Sequence, residues 1–371
     1  MTTRLGVRAA LVEGRLVPGD VTVVDGRIAS FGHSPARGGA IAVPGLVDVQ
    51  LNGFAGLDFL TAEAGDYAAA SAALAASGVT AYLPTFITAP GGDLLRATAA
   101  AHEAAAAAAG QTGARVLGVH LEGPFLAPAY RGIHPDSALR APDIGFTRQL
   151  LEAGTVSMVT LAPELPGALE VIEFLTRRGV VVSCGHTAAT AAEADIAFAA
   201  GARAVTHLFN AMRPLHHRDP GIAGAALAHD HVFVGLIVDH YHLAPQTAAI
   251  VWRAARERLC LVTDGIAAAG VGDGDYRVGP AEVQVRDGRA RLADGTLAGN
   301  VETLLEGVRK LHALGATLEE ALGAATAVPA RLLGRDDVGV LRPGARADVL
   351  VLDERLEVAR VLVGGRDAIP D

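Results

Sequence analysis

The chain has 371 residues, 51% of them hydrophobic and 19% charged, enough apolar mass for a large core and too much for a disordered or fibrous protein. A formal net charge of -9, a pI near 5.8 and no Lys/Arg cluster exclude a nucleic-acid or anionic-membrane surface, so any phosphate contact must be local. The N-terminal "MTTRLGVRAALVEGRLVPGD" has no uninterrupted apolar h-region and no stretch is long enough to span a bilayer, which reads as a cytoplasmic, enzyme-sized protein.

From Leu5 to Ile41 short β-like runs ("AALVEG", "GDVTVVDGR", "IASFG") alternate with turn signals, and "GARADVLVLDERLEVARVLVGGR" repeats that style at the other end. Neither end alone carries enough strands to be stable, so residues 1–44 and 335–371 are expected to pair into one small β-sandwich domain. Between them, over 45–334, Val/Ile/Leu runs alternate with Ala-rich helical stretches, the pattern of repeated βα units.

Eight strands are predicted: 45–52, 79–85, 115–122, 157–164, 180–186, 204–210, 232–239 and 259–265. Eight units point to a closed (β/α)8 barrel, with the doubly wound open sheet as its rival. The tract "AHEAAAAAAG" (101–110) reads as a plain outer helix, because alanine is the best helix former. Hairpin turns "RDGR" and "ADGT" predict a β insertion around 271–297, followed by helices near Val301 and Leu318. Cys184 and Cys260 sit in apolar strand-like runs and read as buried core residues.

Polar residues within these apolar runs gather at strand ends: Glu122, His186, His207, Asp239 and Asp264. In a barrel those ends meet on one face. Two histidines and a glutamate are a common ligand set for one divalent ion, and Asp264 is then free to act as general base, which points to hydrolysis of an amide or related bond. No compact H-E-x-x-H motif ties the ligands together, so their meeting depends on the barrel.

The ordered set "PGLVDVQLNG", "HLEGPFL", "TLAPE", "GHTAAT", "THLFNAM", "HHRDPG", "LVTDG" and "GTLAGN" resembles the N-acetylglucosamine-6-phosphate deacetylase family of the amidohydrolase superfamily along nearly the whole chain. The resemblance implies a barrel with a small β-sandwich, usually a homodimer, that removes the acetyl group from an amino-sugar phosphate. It implies Glu122, His186 and His207 as metal ligands, Asp264 as catalytic acid/base, and His134 in "RGIH", beside Ile133, as a substrate contact that polarises the acetyl carbonyl. Asn210, Ala211, Leu297, Ala298 and Gly299 match sugar or phosphate contacts, and Arg218 matches an arginine that reaches the neighbouring subunit's site.

At the first strand end the chain reads "VQLNG", with Gln50 and Asn52 where many amidohydrolases carry H-x-H. Neutral amides are poor ligands, so one metal ion per subunit is expected, zinc first, with iron, cobalt or nickel also suited to the donors; the amides are left to bind substrate or hold the site's shape. After the seventh strand the family reads D-G-x-H and this chain reads "DHYH": Asp239 and His242 keep their places, while His240 replaces glycine. An imidazole there is expected either to strain a positive-φ backbone or crowd the sugar pocket, or else to point away from it. Two other readings remain open at this stage, a hydrolase of another N-acyl amine and a non-catalytic scaffold barrel.

Overall fold

The computed structural model describes residues 2–34, 38–108 and 110–368. Met1, residues 35–37 and residues 369–371 of the two predicted terminal segments, and Ala109 of the alanine tract, lie outside the described residues. Eight strand positions form one parallel array: β1 Leu46–Leu51, β2 Val79–Ile87, β3 Arg115–Val116 resuming as Val119–Glu122, β4 Val156–Leu161, β5 Val181–Cys184, β6 Ala204–Val205, β7 Phe233–Leu236 and β8 Leu259–Leu261. Every ladder between neighbours is parallel, for example Thr85 opposite His120 and Leu161 opposite Cys184. Leu51 bridges Gly265 just beyond β8, and Asp264 N–H donates to Gln50 C=O at 2.9 Å, so the array curls nearly closed into the expected barrel rather than an open sheet.

The strands form because most are Val/Leu/Ile-rich runs buried on both faces, as β1, β2 and β5 are along their whole length. Helices Tyr67–Ala76, Gly91–Ala107, Ile144–Ala153, Ala168–Thr176, Ala191–Ala199, Gly221–Ala228 and Pro245–Ala255 intervene and cover the outside. Capping signals start two of them: Thr190 with Glu193 makes a reciprocal capping box before Ala191–Ala199, and the Asp143 side chain accepts the Phe146 N–H at the start of Ile144–Ala153. Four strands end three or more residues earlier than predicted. β4 stops at Leu161, β6 at Val205, β7 at Leu236 and β8 at Leu261, and beyond β6 and β8 the backbone turns at polar residues, with φ of 28° at His207 and 52° at Asp264.

Both chain ends enter one six-stranded sheet in the order Arg366–Asp367, Val358–Val363, Val349–Leu352, Ile41–Pro44, Ala9–Val12, Arg15–Pro18. Ile41–Pro44 and Val349–Leu352 run antiparallel, so residues some three hundred positions apart share a ladder. A three-stranded sheet of Thr2–Arg4, Asp20–Val24 and Arg27–His33 closes a core of Val7, Val21, Val23, Ile28, Val349, Val351 and Leu362. The insertion is a separate antiparallel sheet, Gly274–Val278, Ala281–Arg286 and Arg289–Arg291, and it leads to helices Leu304–Ala313 and Leu318–Ala324. Among the described residues no helix is long and apolar enough to cross a membrane.

Candidate metal centre and active site

The C-terminal ends of the barrel strands surround a cavity of about 390 Å³. Glu122 is the last residue of β3 and is 2% exposed. Glycine is required after it: at φ 94°, a Cβ on Gly123 would stand 2.2 Å from Thr88 Oγ1. His186 and His207 follow β5 and β6 by two residues, with φ of 51° and 28°, a left-handed backbone unusual outside glycine that turns both rings inward.

Glu122 Oε1 lies 3.1 Å from His186 Nε2 and 3.0 Å from His207 Nε2, and the two Nε2 atoms are 3.1 Å apart. These three side chains form the one group of metal-ligating type found among the described residues. The His186 tautomer can be read from its partner. His186 Nδ1 faces the Tyr130 carbonyl at 2.9 Å and must carry a hydrogen, so Nε2 is the nitrogen that faces the carboxylate and can offer a lone pair to an ion. Two imidazole Nε2 atoms and a carboxylate oxygen, all buried and within 3.1 Å of one another, need positive charge between them, and the donor set fits a single divalent ion. Burial would raise the Glu122 carboxyl, but hydrogen bonds and charge from both histidines hold it well below its usual range.

His134 has the opposite tautomer. Its Nδ1 accepts the Thr88 backbone N–H at 3.0 Å, so its proton sits on Nε2, 3.9 Å from Glu122 Oε2. Burial pushes the ring's pKa down to about 3, so it is a neutral N–H donor at physiological pH. Asp264 Oδ1 accepts from Asn52 Nδ2 at 2.7 Å and Gln50 Nε2 at 3.2 Å, and Gln50 Nε2 also donates to Glu122 Oε1 at 3.0 Å. Burial, then the charge of Glu122, push Asp264 up to about 6, the range of a general base working near neutrality.

Of the residues singled out in the sequence, Asn52, Glu122, Ile133, His134, His186, His207, Asn210, Ala211, His242, Asp264, Leu297 and Gly299 all line this cavity. Gln50 lies behind the lining, bridging Glu122 and Asp264. Ala298 is buried between its two lining neighbours. Asp239 stands behind His242, its Oδ2 accepting His242 Nδ1–H at 2.6 Å. His240 is exposed and outside the lining, at φ 70°: of the expected effects of replacing glycine, the strained backbone is present and the crowded pocket is not. Arg218 is exposed, its guanidinium on His217 at 2.8 Å, and does not line the cavity of its own chain.

Sequence reasoning overlooked Thr88 and Tyr130, which set the two tautomers through backbone atoms, and Ile87, Ile237 and Ile266, which wall the cavity. A backbone donor or carbonyl leaves no residue-type signal. Asp48, fully buried under Asp264's strand end, was legible as a carboxylate inside "GLVDVQLN"; it accepts Thr263 Oγ1–H at 2.6 Å.

The amidohydrolase family profile matches residues 41–367. An N-acetylglucosamine-6-phosphate deacetylase of Bos taurus is 41% identical over 88% of this chain and 83% of its own length. An N-acetylgalactosamine-6-phosphate deacetylase of Escherichia coli O157:H7 is 37% identical over 99% of both chains. Among solved structures, an N-acetyl-D-glucosamine-6-phosphate deacetylase mutant of Mycobacterium smegmatis, in complex with N-acetyl-D-glucosamine-6-phosphate, superposes with a TM-score of 0.93 at 37% identity over the whole of both chains. The Thermotoga maritima N-acetylglucosamine-6-phosphate deacetylase gives 0.92 at 30% identity, again over both whole chains. With this coverage, and with a buried Glu-His-His cluster at the mouth of a parallel barrel, the chain belongs to the amidohydrolase family.

Proposed function

We propose that this protein hydrolyses the acetyl amide of N-acetyl-D-glucosamine 6-phosphate, giving glucosamine 6-phosphate and acetate. The observation that carries the reading is the meeting of Glu122, His186 and His207 with Asp264 around one cavity, in a chain whose relatives are named for this reaction. Glu122, His186 and His207 hold one divalent ion per subunit, zinc being the first choice for two imidazoles and a carboxylate. Bound there, the ion acts as a Lewis acid toward the acetyl carbonyl and lowers the pKa of water.

His134 donates its Nε2–H to the acetyl oxygen as negative charge develops on it. Asp264 takes a proton from the attacking water, and after the carbon–oxygen bond has formed it passes that proton to the sugar nitrogen as the carbon–nitrogen bond breaks. Asn52 and Gln50 keep the Asp264 carboxylate aimed by donating to Oδ1. Ile133, Asn210, Ala211, Asp239 with His242, and the 297–299 turn contact the sugar phosphate. Arg218, exposed and away from its own cavity, reaches the phosphate in the second subunit of a homodimer, where a guanidinium fork suits it. His240 sits at the edge of this site. We take residues 1–44 with 335–371 as the small domain, 45–334 as the catalytic one, and the cytoplasm as the enzyme's compartment.

A second reading, the galactosamine epimer as substrate, is favoured by the Escherichia coli relative's match over 99% of both chains. Acetate release by zinc-reconstituted protein from N-acetylglucosamine 6-phosphate, its galactosamine epimer and unphosphorylated N-acetylglucosamine decides between them. Turnover confined to the first supports the proposal; faster turnover of the epimer replaces it with the second reading; no dependence on phosphate overturns the role of Arg218.

A further inference from the structure

The loop after β7 is organised by one carboxylate. Asp239 Oδ1 accepts the backbone N–H groups of Tyr241 at 2.8 Å and His242 at 2.9 Å, while Oδ2 accepts His242 Nδ1–H at 2.6 Å. The His242 ring is thereby held with Nδ1–H on Asp239, and the side chain lines the cavity. The arrangement is not locally preferred, because the residue between them, His240, sits at φ 70° without glycine's freedom.

Two cations from elsewhere in the fold bear on this loop. Lys310 Nζ donates to the Asp239 backbone carbonyl at 3.0 Å and pairs with the Glu302 carboxylate. Lys310 is carried on the helix Leu304–Ala313, which is fixed by a Thr303/Glu306 capping box and by Leu304, Leu305, Val308 and Leu311 buried on one face. From the insertion, Arg289 lays its guanidinium over the Tyr241 ring at 4.5 Å. Neither Lys310 nor Arg289 lines the cavity.

We infer that Lys310 is a positioning residue: through the Asp239 carbonyl it pins the strained 239–242 turn, and so holds His242 against the hexose ring of the substrate. This rests on the proposed reading of the cavity as an amino-sugar phosphate site. Carbonyl, carboxylate and imidazole are linked in series, so releasing the carbonyl lets the turn relax and the ring lose its fixed direction. A residue that directs a sugar contact, and not the reacting amide, acts on substrate binding more than on the chemical step.

The test compares Lys310→Met, Lys310→Arg and the double variant Lys310→Met/Glu302→Gln, the last removing the acid that would otherwise be left unpaired. With the zinc-loaded enzyme, Lys310→Met and the double variant should raise KM about 10-fold and leave kcat within about 2-fold, while Lys310→Arg restores most of the loss. Independently of turnover, nitrogen-15 NMR of the zinc-loaded protein should show the His242 Nδ1–H signal as a single slowly exchanging resonance in the wild type and in Lys310→Arg. In the two Met variants it should be broadened or lost. Unchanged KM and an unchanged His242 signal in the double variant would overturn the inference, as would an equal fall in kcat, or Arg failing to restore what Met removes. Wild-type protein that releases no acetate would sink the reading of the site, and the His242 signal would still report on Lys310.

Discussion

The two ends of the barrel solve the problem of a buried carboxylate in opposite ways. At the N-terminal end, Asp348 is 5% exposed and every partner it needs is supplied by the chain: Arg346 Nε at 2.8 Å, Arg115 Nη2 at 3.3 Å and the Gly364 N–H at 2.8 Å. Beside it Asp337 is gripped by Nε and Nη2 of Arg335 at 2.7 and 2.8 Å and by Arg115 at 3.1 Å, which hold its carboxyl far below the ordinary range. At the C-terminal end Glu122 is 2% exposed, with two imidazoles and an amide on Oε1 and His134 Nε2 3.9 Å from Oε2. One end is electrostatically complete and serves to clasp strands to the terminal sheet. The other brings a carboxylate and two imidazoles together with no lysine or arginine hydrogen-bonded to the carboxylate among the described residues, the arrangement of a candidate metal site.

This contrast can be broken from either side. The largest effect is expected at the functional end: Asp264→Asn should lower kcat by roughly 10³-fold, the scale of a lost general acid–base, with substrate affinity preserved, as steady-state kinetics and calorimetry would show. Near-normal turnover would remove Asp264 from the chemistry. At the other end, Asp348→Asn leaves Arg346 and Arg115 without their shared partner and should cost about 2 to 3 kcal/mol in urea unfolding while leaving metal content as it is in the wild type. If it emptied the metal site instead, the two ends would not be separable.

Effects that depend on pH sharpen the comparison. Burial pushes Asp48 up to about 7 from an unfolded value of 3.8, so between those pH values the folded state holds a proton that the unfolded state has released. Stability from this group is therefore full below about pH 4 and lost as pH rises through 7, at no more than about 1.4 kcal/mol per pH unit. Asp48→Asn should flatten the urea midpoint across that window; a wild-type midpoint that already shows no slope would refute it. Asp264 adds a kinetic counterpart, since kcat/KM should fall as pH drops through about 6 and the base becomes protonated. Smallest of all, Arg335→Ala removes a partly exposed pair and should change stability by under about 1 kcal/mol.

Much of this was legible in one dimension because it is local. Val/Ile/Leu runs broken by alanine-rich stretches mark eight βα units whatever their partners, and Glu122, His186, His207 and Asp264 stand out as polar residues ending apolar runs. The hairpin signals of 271–297 likewise carry their own turns. Less legible were the strand ends at Leu161, Val205 and Leu236, where apolar composition continues but the backbone turns to deliver a side chain. His240 could be flagged from its residue type, but its direction, out of the cavity at positive φ, could not.

The sequence by itself determined the inventory: which residue types could ligate, which could move a proton, and that a parallel array would bring strand ends to one side. Only the tertiary structure decided that they meet. Glu122 lies 64 and 85 positions from His186 and His207, and closure of the array beside Leu51 and Gly265 brings the ligand atoms within 3.1 Å of one another. It also decided the tautomers, because the Tyr130 carbonyl and the Thr88 amide are common to every residue type and acquire meaning only from what the fold sets against them.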